Sequence, residues 1–205
     1  MTTCPDIKTA VRLWVKSIDV MSEWILGQYL REYIYHTETI AENAAKIASR
    51  CHLDEQKAYI LGLLHDYGKK TNQKISGKSH FMTGYDELSA MGWSDVARIN
   101  LTHSFPEKDF DYKDYSSYPL ADLQRAKALI SQLDYDDYDR LIQLCDMFAE
   151  ATSTVSYQKR LQRIRERYGL KEEQTIVLER KAAENKAYFD AKCGCDIYDL
   201  LRIEY

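Results

Sequence analysis

Apolar residues recur at steps of three and four through most of the chain, a spacing that predicts helices. Over residues 8–30, Val11, Trp14, Ile18, Met21 and Ile25 form one such stripe. Ile40, Ala44 and Ile47 continue the pattern in the next segment, and Ala58, Leu61 and Leu64 carry it through a third. Asp54 suits the N-cap of that third helix and Gly68 its end. The polar stretch 71–78, which contains Gly77, predicts a loop. Helical spacing resumes over 81–91 and 95–102, the latter with Ser94 placed to cap it. It breaks over 105–118, around Pro106 and a run of Asp, Lys, Ser and Tyr, then returns over 120–133, 138–149, 157–168 and 175–190. No segment alternates with a convincing period of two, and no repeat or low-complexity linker divides the chain. The expected fold class is all-α: a single domain over 1–205 with a helical C-terminal extension.

Composition narrows the function classes. The chain has 205 residues, 45% hydrophobic and 29% charged, enough to bury the core of one ordinary domain. With 8 Gly and 3 Pro it is poor in the tight turns of an all-β domain. Lys and Arg total 28 against 32 Asp and Glu, a net charge of −4. That argues against general nucleic-acid binding while leaving room for a local basic patch. No run approaches the ~18 apolar residues of a membrane span. The start MTTCPDIKTA lacks the basic-then-apolar order of a secretory signal, so no membrane association is expected. Five irregularly spaced cysteines do not form a disulfide framework, and Cys193-Gly-Cys195 reads as two incidental thiols. The expected location is the cytoplasm.

The histidines carry the candidate chemistry. His36 shares a helical face with Ile40, Ala44 and Ile47. His65 follows Leu61 by four, with Asp66 beside it. His80 lines up with Gly84 and Leu88, and Gly84 would let a second backbone approach. His103 lies seven residues after Val96, on the apolar side of its helix. His52, beside Cys51 in an expected helix–helix turn, is incidental. Asp146, inside LIQLCDMFA and four after Ile142, would place a carboxylate toward the core, at a high cost unless it is paired. A bound cation resolves that cost, because imidazoles and carboxylates are donors that divalent transition metals take. A single histidine on an apolar face is more often a satisfied core residue. Four of them with carboxylates alongside favour a metal site.

In this order, His36, His65-Asp66, His80, His103 and Asp146 resemble the H…HD…H…H…D pattern of the HD superfamily of metal-dependent phosphohydrolases, and AYILGLLHDYGKK resembles its most recognisable helix. The resemblance covers about residues 30–150, leaving 151–205 as the extension. It implies a helical bundle in which His36, His65, Asp66 and Asp146 hold one metal, while Asp66 bridges to a second held by His80 and His103. The implied cofactors are one or two divalent transition-metal ions, iron foremost, with manganese, nickel or zinc as alternatives. Two such ions ~3.5–4 Å apart acidify a bridging water and neutralise phosphate oxygens. The implied activity is hydrolysis of a phosphate ester or phosphoanhydride of a nucleotide or another small phosphorylated metabolite by metal-activated hydroxide. Lys69-Lys70 stands where guanosine-tetraphosphate hydrolases of the superfamily carry Glu-Asp, and no Gly-Tyr-Pro motif of the cyclic-di-GMP phosphodiesterases follows His103. The chain is more similar to bacterial HD-class dinucleoside-tetraphosphate hydrolases, which use two irons. Two other readings stay open: a non-catalytic metal- or nucleotide-binding sensor, and oxygen-dependent chemistry at a di-iron site.

Around the ligand set, Asp66 would orient the nucleophile and Lys69 would place an ammonium against the substrate phosphate, the alternative for Lys69 being a helix-end lysine near the negative end of the dipole. Lys70 reads as surface. In the basic segment 157–168, Arg160, Arg163 and Arg167 share a face, with Arg160 the candidate substrate contact and a solvated helix face the alternative. The Asp/Tyr-rich stretches at 111–118 and 135–139 read as surface loops with half-buried tyrosines, or as a lid whose rings stack on a base. Trp14, Trp24 and Trp93 read as core or interface residues. A homodimer remains open.

Overall fold

The computed structural model describes residues 3–150 and 153–203. Among them are eleven α-helices: α1 (Ile7–Ser22), α2 (Gln28–Arg50), α3 (Glu55–Leu64), α4 (Gln73–Ser76), α5 (His80–Ala90), α6 (Ser94–Thr102), α7 (Leu120–Ile130), α8 (Asp137–Phe148), α9 (Tyr157–Tyr168), α10 (Ile176–Cys193) and α11 (Ile197–Leu201). Short 3-10 turns occupy Tyr67–Lys70, Tyr112–Tyr115 and Glu172–Thr175. No named strand occurs among the described residues; Ala149 and Thr154 form an isolated bridge. The fold is all-α, as the periodicity predicts.

The local differences have physical causes. The stripe expected over 8–30 is two helices, because Gly27 turns the chain at φ +70, where L side chains rarely go. Met21 stays buried, but Val11 is 38% exposed. Asp54 caps α3 as expected, accepting from the Lys57 amide at 2.9 Å. The helix then ends at Leu64, before Gly68, which sits within the following 3-10 turn. Ser94 is the first residue of α6, and Trp93 holds the cap position without a side-chain bond. The expected loop 71–78 contains α4, and α11 follows where no helix was expected.

Two apolar clusters form the interior. The larger joins Ile40, Leu61, Ile99 and Ile142 to Phe189 and Ile197, so the C-terminal helices share it. The smaller gathers Phe81, Leu101, Phe105, Leu123 and Ile130. Helices α5 and α6 contribute to both. Close backbone approaches set how the helices meet. A Cβ on Gly62 would lie 2.7 Å from the Ala41 Cα, so α3 rests on the backbone of α2. A Cβ on Gly68 would lie 1.9 Å from the His80 carbonyl oxygen and 2.6 Å from the Gly84 amide nitrogen. The turn after α3 therefore presses directly on α5. The expectation of a backbone approaching Gly84 holds in that sense, while the space its own side chain would fill is taken by Asn100.

Candidate metal centre

Five segments converge on one point. His36 comes from α2, His65 and Asp66 from the end of α3, His80 from the first position of α5, His103 from just beyond α6 and Asp146 from α8. The helix ends aim the rings. His65 Nδ1 donates to the Gly62 carbonyl at 2.7 Å, and His103 Nδ1 donates to the Ile99 carbonyl at 2.9 Å. Each bond anchors its ring to the last turn of a helix and leaves Nε2 directed at Asp66. Asn100, buried on α6, ties the two helix ends together. Its amide donates to the Leu64 carbonyl at 2.8 Å and to the Val96 carbonyl at 3.1 Å.

Asp66 is 1% exposed and its two oxygens face different histidines. Oδ2 lies 3.3 Å from His65 Nε2 and 3.9 Å from His36 Nε2. Oδ1 lies 3.3 Å from His103 Nε2 and 3.7 Å from His80 Nε2. Asp146 Oδ1 stands 3.2 Å from His36 Nε2. Two groups of three donors result, His36/His65/Asp66 and Asp66/His80/His103, with the donor atoms of each within 4.8 Å of one another. Asp66 belongs to both. The buried His65 Nε2 and Asp66 Oδ1 have no hydrogen-bond partner. Buried polar atoms are ordinarily paired, and an unpaired one costs about 1–3 kcal/mol. Imidazole nitrogens and a carboxylate in this arrangement fit divalent cations, which would satisfy both atoms.

A family model described as HD domain matches residues 33–150. The chain belongs to the HD domain family. No curated protein and no solved structure matches it. HD domains are generally metal-dependent hydrolases, within the metal-dependent phosphohydrolase superfamily.

The charges in this HD domain are arranged to hold cations. Burial opposes ionisation of Asp66, yet the Lys69 ammonium and the His65 and His103 rings hold its carboxyl well below the usual carboxylate range. Burial likewise opposes ionisation of Asp146, and the hydrogen bond and charge of His36 overcome it, lowering the carboxyl. Burial keeps His80 neutral, with its pKa pushed down to about 3, and lowers His36 as well. His65 is raised: burial disfavours its charge, and the adjoining Asp66 more than compensates. The ionised carboxylates and the neutral His36 and His80 rings are in the states metal binding requires, while His65 would give up its proton to a cation.

The centre opens into a cleft of about 470 Å³, within the range of small-molecule sites. His80, His103, Asp146 and Lys69 line it, together with Trp24, Tyr115 and Tyr118. Asp146 is 29% exposed, so its carboxylate faces this cleft rather than the core. Lys69 closes against Asp66 Oδ2. Lys70, expected at the surface, is instead 11% exposed, paired with Glu87 and stacked over the Tyr67 ring at 3.7 Å. Arg160 stands in a neighbouring cavity of about 290 Å³, which His36 and Lys69 also line. His52 lies in the turn after α2 at φ +60 and joins neither donor group. Cys193 and Cys195 join none either among the described residues.

Sequence reasoning missed several residues of the site. Ser104 Oγ lies 3.2 Å from His80 Nε2 and 3.1 Å from His103 Nε2, and only its place directly after His103 hints at this. Trp24 donates its indole N–H to the Lys70 carbonyl at 2.8 Å, which brings the ring to the mouth of the cleft. Asn100 stands four residues after the buried Val96, on the apolar face of α6, a detectable signal. Residues of α9 and α10, among them Tyr168, Lys181 and Asn185, also reach the cleft, and nothing local marks them.

Proposed function

We propose that this HD domain is a metal-dependent phosphohydrolase that cleaves a phosphate ester or phosphoanhydride of a nucleotide or another small phosphorylated metabolite. The observation that carries this reading is the buried Asp66 carboxylate, which turns one oxygen to His36 and His65 and the other to His80 and His103. The proposed ligands are His36, His65, Asp66 and Asp146 for one cation and Asp66, His80 and His103 for a second. Bound divalent cations would supply an acidified water and neutralise the phosphate oxygens.

The chain's own residues divide the remaining work. Asp66, which would be a ligand to both cations, would orient the reacting groups and would not be free to serve as an ordinary base. His65 and His103 are fixed by their Nδ1 bonds, so the donor set is preorganised. Ser104 lies against both rings of the second group and can hold their orientation. Lys69 is 44% exposed and borders both cavities, so its ammonium can turn from Asp66 to a phosphate oxygen. Arg160 offers a guanidinium from α9.

The test is to load the purified protein with iron, manganese, nickel or zinc and assay phosphate release from a panel of nucleotides and phosphate esters. Asp66→Ala should lose turnover and metal content together while keeping its helical circular dichroism, with His52→Ala as a silent control. Activity retained by a metal-replete Asp66→Ala protein would refute the reading. Tight nucleotide binding with no turnover by any metal form would make the chain a sensor instead.

A further inference from the structure

A turn beside the donor set brings one more oxygen to the second group. Residues 102–105 close on themselves, the Phe105 amide donating to the Thr102 carbonyl at 3.1 Å. Three contacts pin that turn. Phe105 is fully buried in the smaller apolar cluster, the Tyr135 hydroxyl donates to its carbonyl at 2.6 Å, and the side-chain amide of Gln143 donates to the Thr102 carbonyl at 3.0 Å. Ser104 is thereby fixed at the cleft, with Oγ 3.1 Å from His103 Nε2 and 3.2 Å from His80 Nε2. Asp66 Oδ1, the buried oxygen without a hydrogen-bond partner, lies 3.3 Å and 3.7 Å from the same two nitrogens. These separations have the scale of neighbouring ligands on one cation. Bonds of about 2.1 Å place adjacent ligands about 3.0 Å apart in an octahedron and about 3.4 Å apart in a tetrahedron.

We propose that Ser104 Oγ is a fourth donor to the cation shared by Asp66, His80 and His103. This rests on the two-cation form of the phosphohydrolase reading. One hydroxyl proton cannot be donated to both rings, so hydrogen bonding alone does not account for an oxygen placed evenly between them. A cation that takes the two Nε2 lone pairs leaves neither ring able to accept. The hydroxyl oxygen then faces that cation with its own lone pairs free. The two sites become unequal as a result. The first has the Asp146 carboxylate as its fourth donor, whereas the second has a neutral hydroxyl. Affinity follows the charge of the ligands, so the second cation should be the more weakly bound of the two.

The test reads coordination without substrate. The metal-stripped full chain is titrated with cobalt(II), whose absorption reports its ligands, as wild type, Ser104→Ala and Ser104→Cys. Wild type should bind two equivalents, one more tightly than the other. Ser104→Ala should weaken the second equivalent about tenfold or more and leave the first within about threefold. A serine that only orients the rings would give the same affinities, so Ser104→Cys decides between the two roles. A coordinated thiol is deprotonated, and its thiolate gives cobalt a near-ultraviolet charge-transfer band that histidine and carboxylate ligands do not. That band should appear with the second equivalent in Ser104→Cys and be missing from wild type, despite the five cysteines of the chain. Its absence from Ser104→Cys at saturating cobalt overturns the proposal. Wild-type affinities in Ser104→Ala, or a single equivalent bound by wild type, do the same. The band without phosphate release from any substrate would keep the donor and discard the phosphohydrolase reading. Turnover by the wild type with no band in Ser104→Cys would keep that reading and discard the donor.

Discussion

Adding one methyl group at Gly68 should separate the two halves of the metal centre. The Cβ of Gly68→Ala would lie 1.9 Å from the His80 carbonyl oxygen, and both that oxygen and the nearby Gly84 nitrogen are backbone of α5. Ordinary carbon–oxygen contact is about 3.3–3.6 Å, so the turn and α5 must part by roughly 1.5 Å. No left-handed conformation adds to this, since Gly68 is not among the glycines with positive φ. Overpacking of this kind costs about 1–3 kcal/mol, equivalent to a fall in Tm of roughly 2–12 °C for a chain of this size. The displacement matters more for function than the energy does. Asp66, two residues before Gly68, stands 3.7 Å from His80 Nε2, while metal–ligand distances hold to within about 0.2 Å. Metal shared by Asp66, His80 and His103 should therefore be lost before metal shared by His36, His65 and Asp146. The assay is thermal unfolding followed by elemental analysis, with Gly77→Ala as the comparison. Gly77 has open space around its missing Cβ but φ +68, so that change costs about 1–2 kcal/mol through strain and leaves metal content alone. Wild-type Tm and metal content in Gly68→Ala would refute the reasoning, because the contact would then yield without moving the site.

Two further outcomes follow from the charges of the site. Lys69→Ala should reduce turnover about tenfold or more, each ~1.4 kcal/mol of lost transition-state stabilisation being a factor of ten, with metal content undiminished; loss of metal in that variant would show the ammonium to be structural. A fall confined to kcat would place the phosphate contact chiefly in the transition state, and a rise in KM alone would make it uniform binding. The pH dependence of the metal-stripped protein has a defined sign. His80, pushed down to about 3, stays neutral when folded while the unfolded ring takes a proton below its ordinary 6.5, so its contribution to stability should fall as pH drops through that window, against the opposite contribution of the raised His65. The depressed Asp66 and Asp146 carboxyls deepen the loss below the ordinary carboxylate value of 3.8. In His80→Gln the slope of Tm between pH 6.5 and about 3 should flatten; curves parallel to wild type would mean that His80 does not titrate as the burial requires.

The helical class, most of the helix positions and the candidate donor residues were legible in the chain's short-range pattern. Helix periodicity is a short-range signal, and His36, His65, Asp66, His80, His103 and Asp146 stand out because histidines and carboxylates are uncommon on apolar helical faces. Periodicity alone could not separate the core from a cleft cut into the same inward face, which is why Asp146 reads as buried in sequence and faces the cleft in space. It also could not show that Lys70 turns inward onto Tyr67 and Glu87, since that depends on residues from separate helices. Tertiary structure alone decided what surrounds the donors. Trp24 meets the carbonyl of Lys70, 46 positions away, and Asn100 meets the carbonyl of Leu64, 36 positions away. Arg160 joins Lys69 and His36 in one cavity from a helix outside the matched family segment. Such contacts leave no local trace because the chain between the partners sets their separation only after it has folded, and the packing of glycine against backbone at Gly62 and Gly68 chooses which helix faces meet.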